Sequence, residues 1–268
     1  MKMRSLTFLA VLIALFIAVP LLIVVPMSFS ANASLQFPPS AYWLGNYQHF
    51  FSDINWMQPL FNSLLIGVAT VVLTLLLAIP ASFALVRHHF IGRNAFNLLL
   101  MLPMIVPQIV MALGYYMYFG SLGLTQSFTG IIIAHTCLGI PVATLIITAA
   151  LKSFDNNLER AASSLGARSL TTFRLVTFPV LRPAILVAAL FSFIQSFDET
   201  VIAVFISGRD TATLPRQMFN SFRMEADPVI SAASSFLFIM VLACMLVPLA
   251  TRLTKRASRG SLPAQVAH

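Results

Sequence analysis

Glu159-Arg160-Ala161-Ala162-Ser163-Ser164-Leu165-Gly166-Ala167, with Pro179 beyond it, is the stretch on which the fold turns. It lies between two long apolar segments and is rich in charge, in a chain that is 59% apolar and 9% charged. Soluble domains hold about 25% charged residues, so the chain reads as a polytopic membrane protein. The island is then a helical loop in water between two spans. Cys137 and Cys244 fall in apolar segments and suggest small core residues without a disulfide framework.

Working outward, six segments meet the ~20 apolar residues that a helix needs to cross a bilayer. They are Leu6–Met27, Leu60–Val86, Ala95–Tyr118, Phe128–Leu151, Pro183–Ile206 and Val229–Thr251. Pro103 and Pro107 predict a bent third helix. The net charge is +8, and its distribution orients the chain. With a cytoplasmic N-terminus, the inner segments carry thirteen Lys and Arg, among them Arg87, Arg93, Lys152, Arg160 and the tail Arg252, Lys255, Arg256 and Arg259. The outer segments carry three, Arg209, Arg216 and Arg223. Both termini are therefore expected in the cytoplasm. Ala31-Asn32-Ala33 resembles a signal cleavage site, but the preceding apolar run is longer than a signal peptide requires, so the first segment is expected to stay as a span. The outer stretch after it, with Pro38, Pro39, Trp43, Tyr47 and Trp56, suits a loop on the membrane surface.

Within the island, Asn156 and Glu159 suggest a capping box. Leu158, Ala161, Ala162 and Leu165 form one apolar stripe at helical spacing. Gly166 is suited to end that helix, Ser169 to cap a second short one with Leu170, Phe173 and Val176 on its apolar side, and Pro179 and Pro183 to end the excursion and start the next span. Periodicity alone also fits an amphipathic hairpin lying on the inner leaflet.

The spacing resembles the cytoplasmic coupling loop of type I ABC importer permeases, written E-A-A, three residues, G, nine residues, I-x-L-P. Arg160-Ala161-Ala162, Gly166 and Val176-Thr177-Phe178-Pro179 occupy those positions. Arg160 stands where the family has an acid, with Glu159 one residue earlier, and Val176 and Phe178 replace Ile and Leu. The similarity continues through the spans from about Leu60 to Thr251. It implies an all-α, six-helix type I ABC importer transmembrane fold in a bacterial inner membrane. The expected organisation is a first helix and outer loop over 1–58, a transport domain over 59–252 with its coupling loop at 152–182, and a basic tail over 253–268 that meets anionic lipid. Glu159, Arg160, Ala161, Ala162, Gly166, Ala167 and Pro179 are the expected docking residues. The implied partners are a second permease subunit, identical or not, two ATP-binding subunits and an external substrate-binding protein. Nucleic acid is not an expected partner. The chain has no G-x-x-x-x-G-K-[ST] phosphate loop. It is expected to hold no cofactor and to be no enzyme, with ATP and Mg in the partner subunit.

Asp198 and Glu199 are the second anomaly. Asp198 lies roughly 23 Å of helix past Pro183 at ~1.5 Å per residue, inside the predicted fifth span. Acids at that depth face a pathway or a partner, and Gln195 is spaced to sit between them. The alternative is a helix that ends early, with the acids in water or paired with Arg209 or Arg216. Ser196-Phe197-Asp198-Glu199, Phe205-Ile206-Ser207-Gly208 and Thr213-Leu214-Pro215 resemble the spermidine/putrescine branch of these permeases, which implies a small cationic substrate such as putrescine or spermidine. The same branch includes permeases for opines and aminoethylphosphonate. Tyr115 and Tyr116, with Tyr118, are suited to cation–π contacts or to an aromatic belt. His135 stands alone in the fourth span without a metal-ligand set. An ion-coupled secondary transporter would also use buried carboxylates, but the inverted repeats common in that class are not evident.

Overall fold

A computed structural model describes residues 2–31, 37–224, 227–240 and 242. Beyond an isolated bridge between Ser30 and Tyr42, the described residues form helices, turns and loops. The helices are α1 (Lys2–Ser28), α2 (Gly45–Ser52), α3 (Ile54–Arg87), α4 (Arg93–Ile105), α5 (Gln108–Ser121), α6 (Phe128–Lys152), α7 (Asn157–Ser164), α8 (Ser169–Thr172), α9 (Phe178–Phe197), α10 (Val201–Ile206), α11 (Leu214–Met224) and α12 (Val229–Met240). Helices are the expected solution in lipid, where each backbone N–H and C=O must be satisfied inside its own segment.

Among the described residues four helices are long and apolar enough to span, Leu6–Ser28, Ile54–Arg87, Phe128–Lys152 and Ser169–Phe197. A fifth is counted if α4 and α5 form one span. Those two meet at 102°. The bend foreseen at the prolines is thus a full break, and its cause is local. Val106 precedes Pro107 and is extended, at φ −77° and ψ 132°, because a residue before proline is pushed out of the helical region. The sixth predicted span is described as α12. The rest of it, with Cys244 and the basic tail, lies outside the described residues.

The fifth span is also placed differently from the expectation. Helix runs unbroken from Ser169 to Phe197, stops at Asp198, and resumes as the short α10. The second arm of the predicted hairpin is therefore continuous with this span, and Pro179 lies in the first turn of α9. A π-helical turn at Phe173–Thr177 precedes the proline, with the Phe178 N–H donating to the Phe173 carbonyl five residues back. The wider turn falls where the proline ring would crowd the carbonyl four residues behind it.

The chain divides into two compact units, Asn55–Asn220 and the combination of Met1–Ile54 with Ser221–His268. In the latter, Ser28 Oγ meets the Tyr47 hydroxyl at 2.8 Å and the Asn46 amide donates to the Ser30 carbonyl at 2.9 Å. Phe236 of α12 packs edge-on to Phe51 at 5.3 Å, and Ser235 Oγ donates to the Val24 carbonyl. Phe8 and Phe16 of α1 are exposed, as a lipid-facing helix requires.

The Asn55–Asn220 unit is organised around α3, α6 and α9. One apolar cluster holds Ile66, Ala112, Phe119, Ile131, Leu138, Ile202 and Ile206. A second holds Ala78, Ala143, Ile147, Leu151, Leu181 and Ala188. The same helices bury polar side chains, Thr70 and Thr74 on α3, His135 on α6, Ser192 and Ser196 on α9. Small residues bring these helices close. A Cβ on Gly139 would stand 2.9 Å from Thr74 Oγ1 and 3.6 Å from Ser192 Oγ, the close approach that glycine permits between membrane helices. Trp56, expected at the interface, is buried at the start of α3. Asn62 donates to the carbonyls of Asp210 and Ala212, both at 2.9 Å, and Ser63 Oγ accepts from the Leu214 N–H. These bonds pin the 207–214 loop to α3.

Candidate functional site: the elbow and the broken end of the fifth span

The elbow is α7, the turn at Gly166, and the start of the Ser169–Phe197 run. Gly166 has φ +83°, the left-handed conformation that only glycine adopts freely. The Ala167 N–H donates to the Ala162 carbonyl at 3.1 Å and the Gly166 N–H to the Ser163 carbonyl at 3.0 Å. Together these make a Schellman cap, so the turn is rigid.

The predicted capping box does not form. Asn156 makes no side-chain cap, and Asp155 Oδ1 accepts from the Asn157 N–H instead. Ser169 is the first helical residue, not the cap, which is Arg168. Glu159 is drawn away from α7. Arg87, the last residue of α3, clamps it in a bidentate pair at 2.8 and 3.1 Å. The Thr177 hydroxyl, in the π turn, donates to Glu159 Oε1 at 2.6 Å. The Arg87 guanidinium also stands 5.3 Å over the Phe154 ring. Both charges are about three-quarters shielded, with side-chain exposures of 22% and 25%, so this pair is stronger than a surface salt bridge. It ties α3, α7 and the base of α9 at one point. Beside it a recess of about 240 Å³ is lined by Phe83, Ser163, Thr172, Phe173 and others.

The outward face is the complement. Arg160 is exposed and forms no hydrogen bond or ion pair with its side chain among the described residues. Leu158, Leu170 and above all Leu165, at 89% exposure, are uncovered. Ala161 is exposed and Ala162 half-buried. The apolar stripe predicted from periodicity therefore does not pack on its own chain. Arg87, Phe154 and Thr177 were not singled out from sequence as elbow residues. Arg87 counted there only as a positive charge of the inner side, and no local spacing links it to a glutamate on another helix.

At the far end of α9 the two acids part company. Asp198 is the C-cap and is exposed. Glu199 is buried, its side chain 2% exposed. Its Oε1 accepts from the Ile202 N–H at 2.7 Å and its Oε2 from the Ala203 N–H at 2.9 Å, which caps α10. His135 Nε2 lies 3.4 Å from Oε2. His135 Nδ1 meets Ser196 Oγ at 2.9 Å, and Ser196 Oγ lies 3.4 Å from Thr70 Oγ1. His135, alone in its predicted span, is thus one link in a buried polar chain. No metal-binding cluster of His, Cys, Asp or Glu occurs among the described residues. Gln195 does not bridge the acids, and neither acid pairs with Arg209 or Arg216. The Arg216 guanidinium donates to the Gly208 carbonyl, and burial lowers its pKa. Tyr115 packs against the Ile202 cluster, while Tyr116 and Tyr118 are exposed. The expected pathway set thus comprises exposed Asp198 and Tyr116, half-buried Gln195 and Tyr115, and buried Glu199.

Comparison with known proteins follows this geometry. Residues 74–259 match the model of the family described as binding-protein-dependent transport system inner membrane component. The chain is similar to the spermidine/putrescine transport system permease protein PotC of Haemophilus influenzae, 28% identical over 90% of this chain and 93% of that one. It is similar to the putrescine transport system permease protein PotI of Escherichia coli, 30% identical over 83% and 81%. It is also similar to the sulfoquinovosyl glycerol permease SmoH of Agrobacterium fabrum, 29% identical over 84% and 79%. Among solved structures, a chain of a bacterial ABC transporter that imports alginate superposes with a TM-score of 0.69 at 18% identity, covering 93% of this chain and 96% of that one. A chain of the MetNI methionine ABC transporter gives 0.56 at 16% identity, covering 77% and 96%.

Proposed function

We propose that this chain, which belongs to the family of binding-protein-dependent transport system inner membrane components, forms half of an import pathway for a small cationic solute of the polyamine class. It is a permease subunit of an ABC importer and not an enzyme, since its relatives are transport permeases and ATP is hydrolysed by a separate subunit. That membership displaces the reading as an ion-coupled secondary carrier.

The observation that carries the mechanical part is the elbow, braced within the chain and bare on its outer face. In the proposed assembly, Leu158, Arg160, Ala161, Ala162 and Leu165 enter a socket on an ATP-binding subunit, where ATP and Mg are held. Gly166 and Ala167 set the angle, and Glu159 and Pro179 belong to the base. Closure of the ATP-binding subunits pushes the elbow, and the Arg87–Glu159–Thr177 knot passes that displacement to α3 and α9. A second permease subunit, identical or not, completes the pathway, an external binding protein delivers the solute, both termini face the cytoplasm, and the transport domain spans about 59–252.

The cationic substrate is supported by the exposed carboxylate of Asp198 at the break of α9, beside two polyamine permeases among the relatives. A related amine, opine or aminoethylphosphonate would meet the same carboxylate through its amino group. Uptake of radiolabelled putrescine into vesicles holding the whole importer tests it. Asp198→Asn is expected to raise the KM for putrescine several-fold. Unchanged kinetics at equal expression would remove this acid from the pathway.

A further inference from the structure

A recess of about 230 Å³ opens where the ends of α3, α4 and α6 meet, lined by Leu85, Arg93, Asn94, Asn97, Thr148 and Lys152. Its chemistry is one-sided. Two cations, two amides and a hydroxyl face it, and no carboxylate does. Neither Arg93 nor Lys152 forms an ion pair among the described residues. The Thr148 hydroxyl oxygen is buried and lacks a hydrogen-bond partner. A threonine in a helix can bond back to the carbonyl four residues earlier, as Thr136 does to Ile132 at 2.7 Å, and Thr148 does not. A buried hydroxyl left open is costly unless a ligand completes it. The helix α4 begins here, after Gly92, with no side-chain cap. Its first-turn N–H groups and the positive end of its dipole add to the field. Like charges sharing so small a space repel, and an anion between them reverses the sign of that interaction.

The location narrows the anion. Arg87 ends α3, Lys152 ends α6, and α7 follows at once, so the recess opens at the elbow end of the spans. Beyond Asn97 on α4, Leu98 and Leu102 are exposed. A headgroup in the recess would have its chains beside them, which a free phosphate would not use. Basic recesses between membrane helices on the inner side are suited to anionic headgroups. We propose that this recess binds the phosphodiester of an anionic glycerophospholipid of the inner leaflet, with Arg93 and Lys152 pairing the phosphate and Thr148 donating to it. The site is separate from the elbow face and from the broken end of α9, and stands whichever solute is carried.

The test is native mass spectrometry of the complete transporter from nanodiscs of equal phosphatidylglycerol and phosphatidylcholine. The wild type is expected to retain phosphatidylglycerol preferentially. Arg93→Gln with Lys152→Gln should weaken that retention about twenty-five-fold, each cation contributing roughly a factor of five, and leave phosphatidylcholine unchanged. Thr148→Val keeps every charge and should weaken it several-fold, and it carries the test if the double variant does not co-purify with its partner subunits. Equal retention of the two lipids by the wild type, or wild-type retention by Thr148→Val, overturns the proposal. Displacement of phosphatidylglycerol by inorganic phosphate at equal concentration overturns the lipid in favour of a soluble anion.

Discussion

Glu159 and Glu199 are both carboxylates at the ends of short helices, and each is spent inside the chain. Glu159 is held by Arg87 and Thr177, so removing either charge strands the other in a partly shielded place, at a cost of about 2 kcal/mol. Arg87→Ala and Glu159→Ala are each expected to lose most ATP-driven uptake, and the double variant to lose no more than the worse single, since coupled residues are non-additive. Independent losses that sum, measured in reconstituted vesicles, would show that the two act separately. Glu199 caps α10 through two backbone N–H groups. Glu199→Ala should therefore destabilise the assembled complex by about 1–2 kcal/mol with the KM for uptake unchanged, the opposite pattern to Asp198→Asn. A raised KM without a fall in melting temperature would return Glu199 to the solute pathway.

Elements fail where one residue sets their geometry. At Gly166 a Cβ meets nothing within 4 Å, so Gly166→Ala carries only the left-handed backbone penalty of about 1–2 kcal/mol. Gly166→Pro cannot reach positive φ at all. It should insert in the membrane and still permit ATP hydrolysis while uptake is lost; full uptake would show that the turn does not transmit force. Gly139 is the contrasting case, because its limit is space. Gly139→Val drives a side chain into Thr74 and Ser192, and overpacking of this kind costs about 1–3 kcal/mol. A thermal unfolding midpoint equal to wild type would show that α3, α6 and α9 part there without strain.

At the scale of the whole molecule, the elbow presents exposed Leu158, Leu165 and Leu170 around an exposed Arg160. Leu165→Asp is expected to abolish co-purification of the ATP-binding subunit, since a central apolar anchor contributes about 2 kcal/mol or more to such an interface. A cysteine placed at Ser164, in a variant lacking Cys137 and Cys244, should react with an impermeant maleimide only after the cells are opened. Reaction in intact cells would put the elbow outside and remove its partner.

Composition, the spread of Lys and Arg, and the Ala161-Ala162…Gly166…Pro179 spacing were enough to establish helical spans, an elbow between the fourth and fifth, and its resemblance to importer permeases. These are local signals: an apolar run must bury its backbone in lipid, a proline removes a donor, and a positive φ calls for glycine. The sequence also foretold the disturbance at Pro103 and Pro107, but not that Val106 would turn the chain through 102°. Only the tertiary structure decided which charges meet. Arg87 and Glu159 are 72 positions apart, and His135 and Ser196 are 61 apart. No spacing rule reaches that far, because those distances depend on how α3, α6 and α9 pack. The same packing buried Glu199, left Asp198 exposed, and grouped Arg93 with Lys152 beside an open hydroxyl. Periodicity says which way a side chain faces on its own helix; what stands opposite it is a property of the fold.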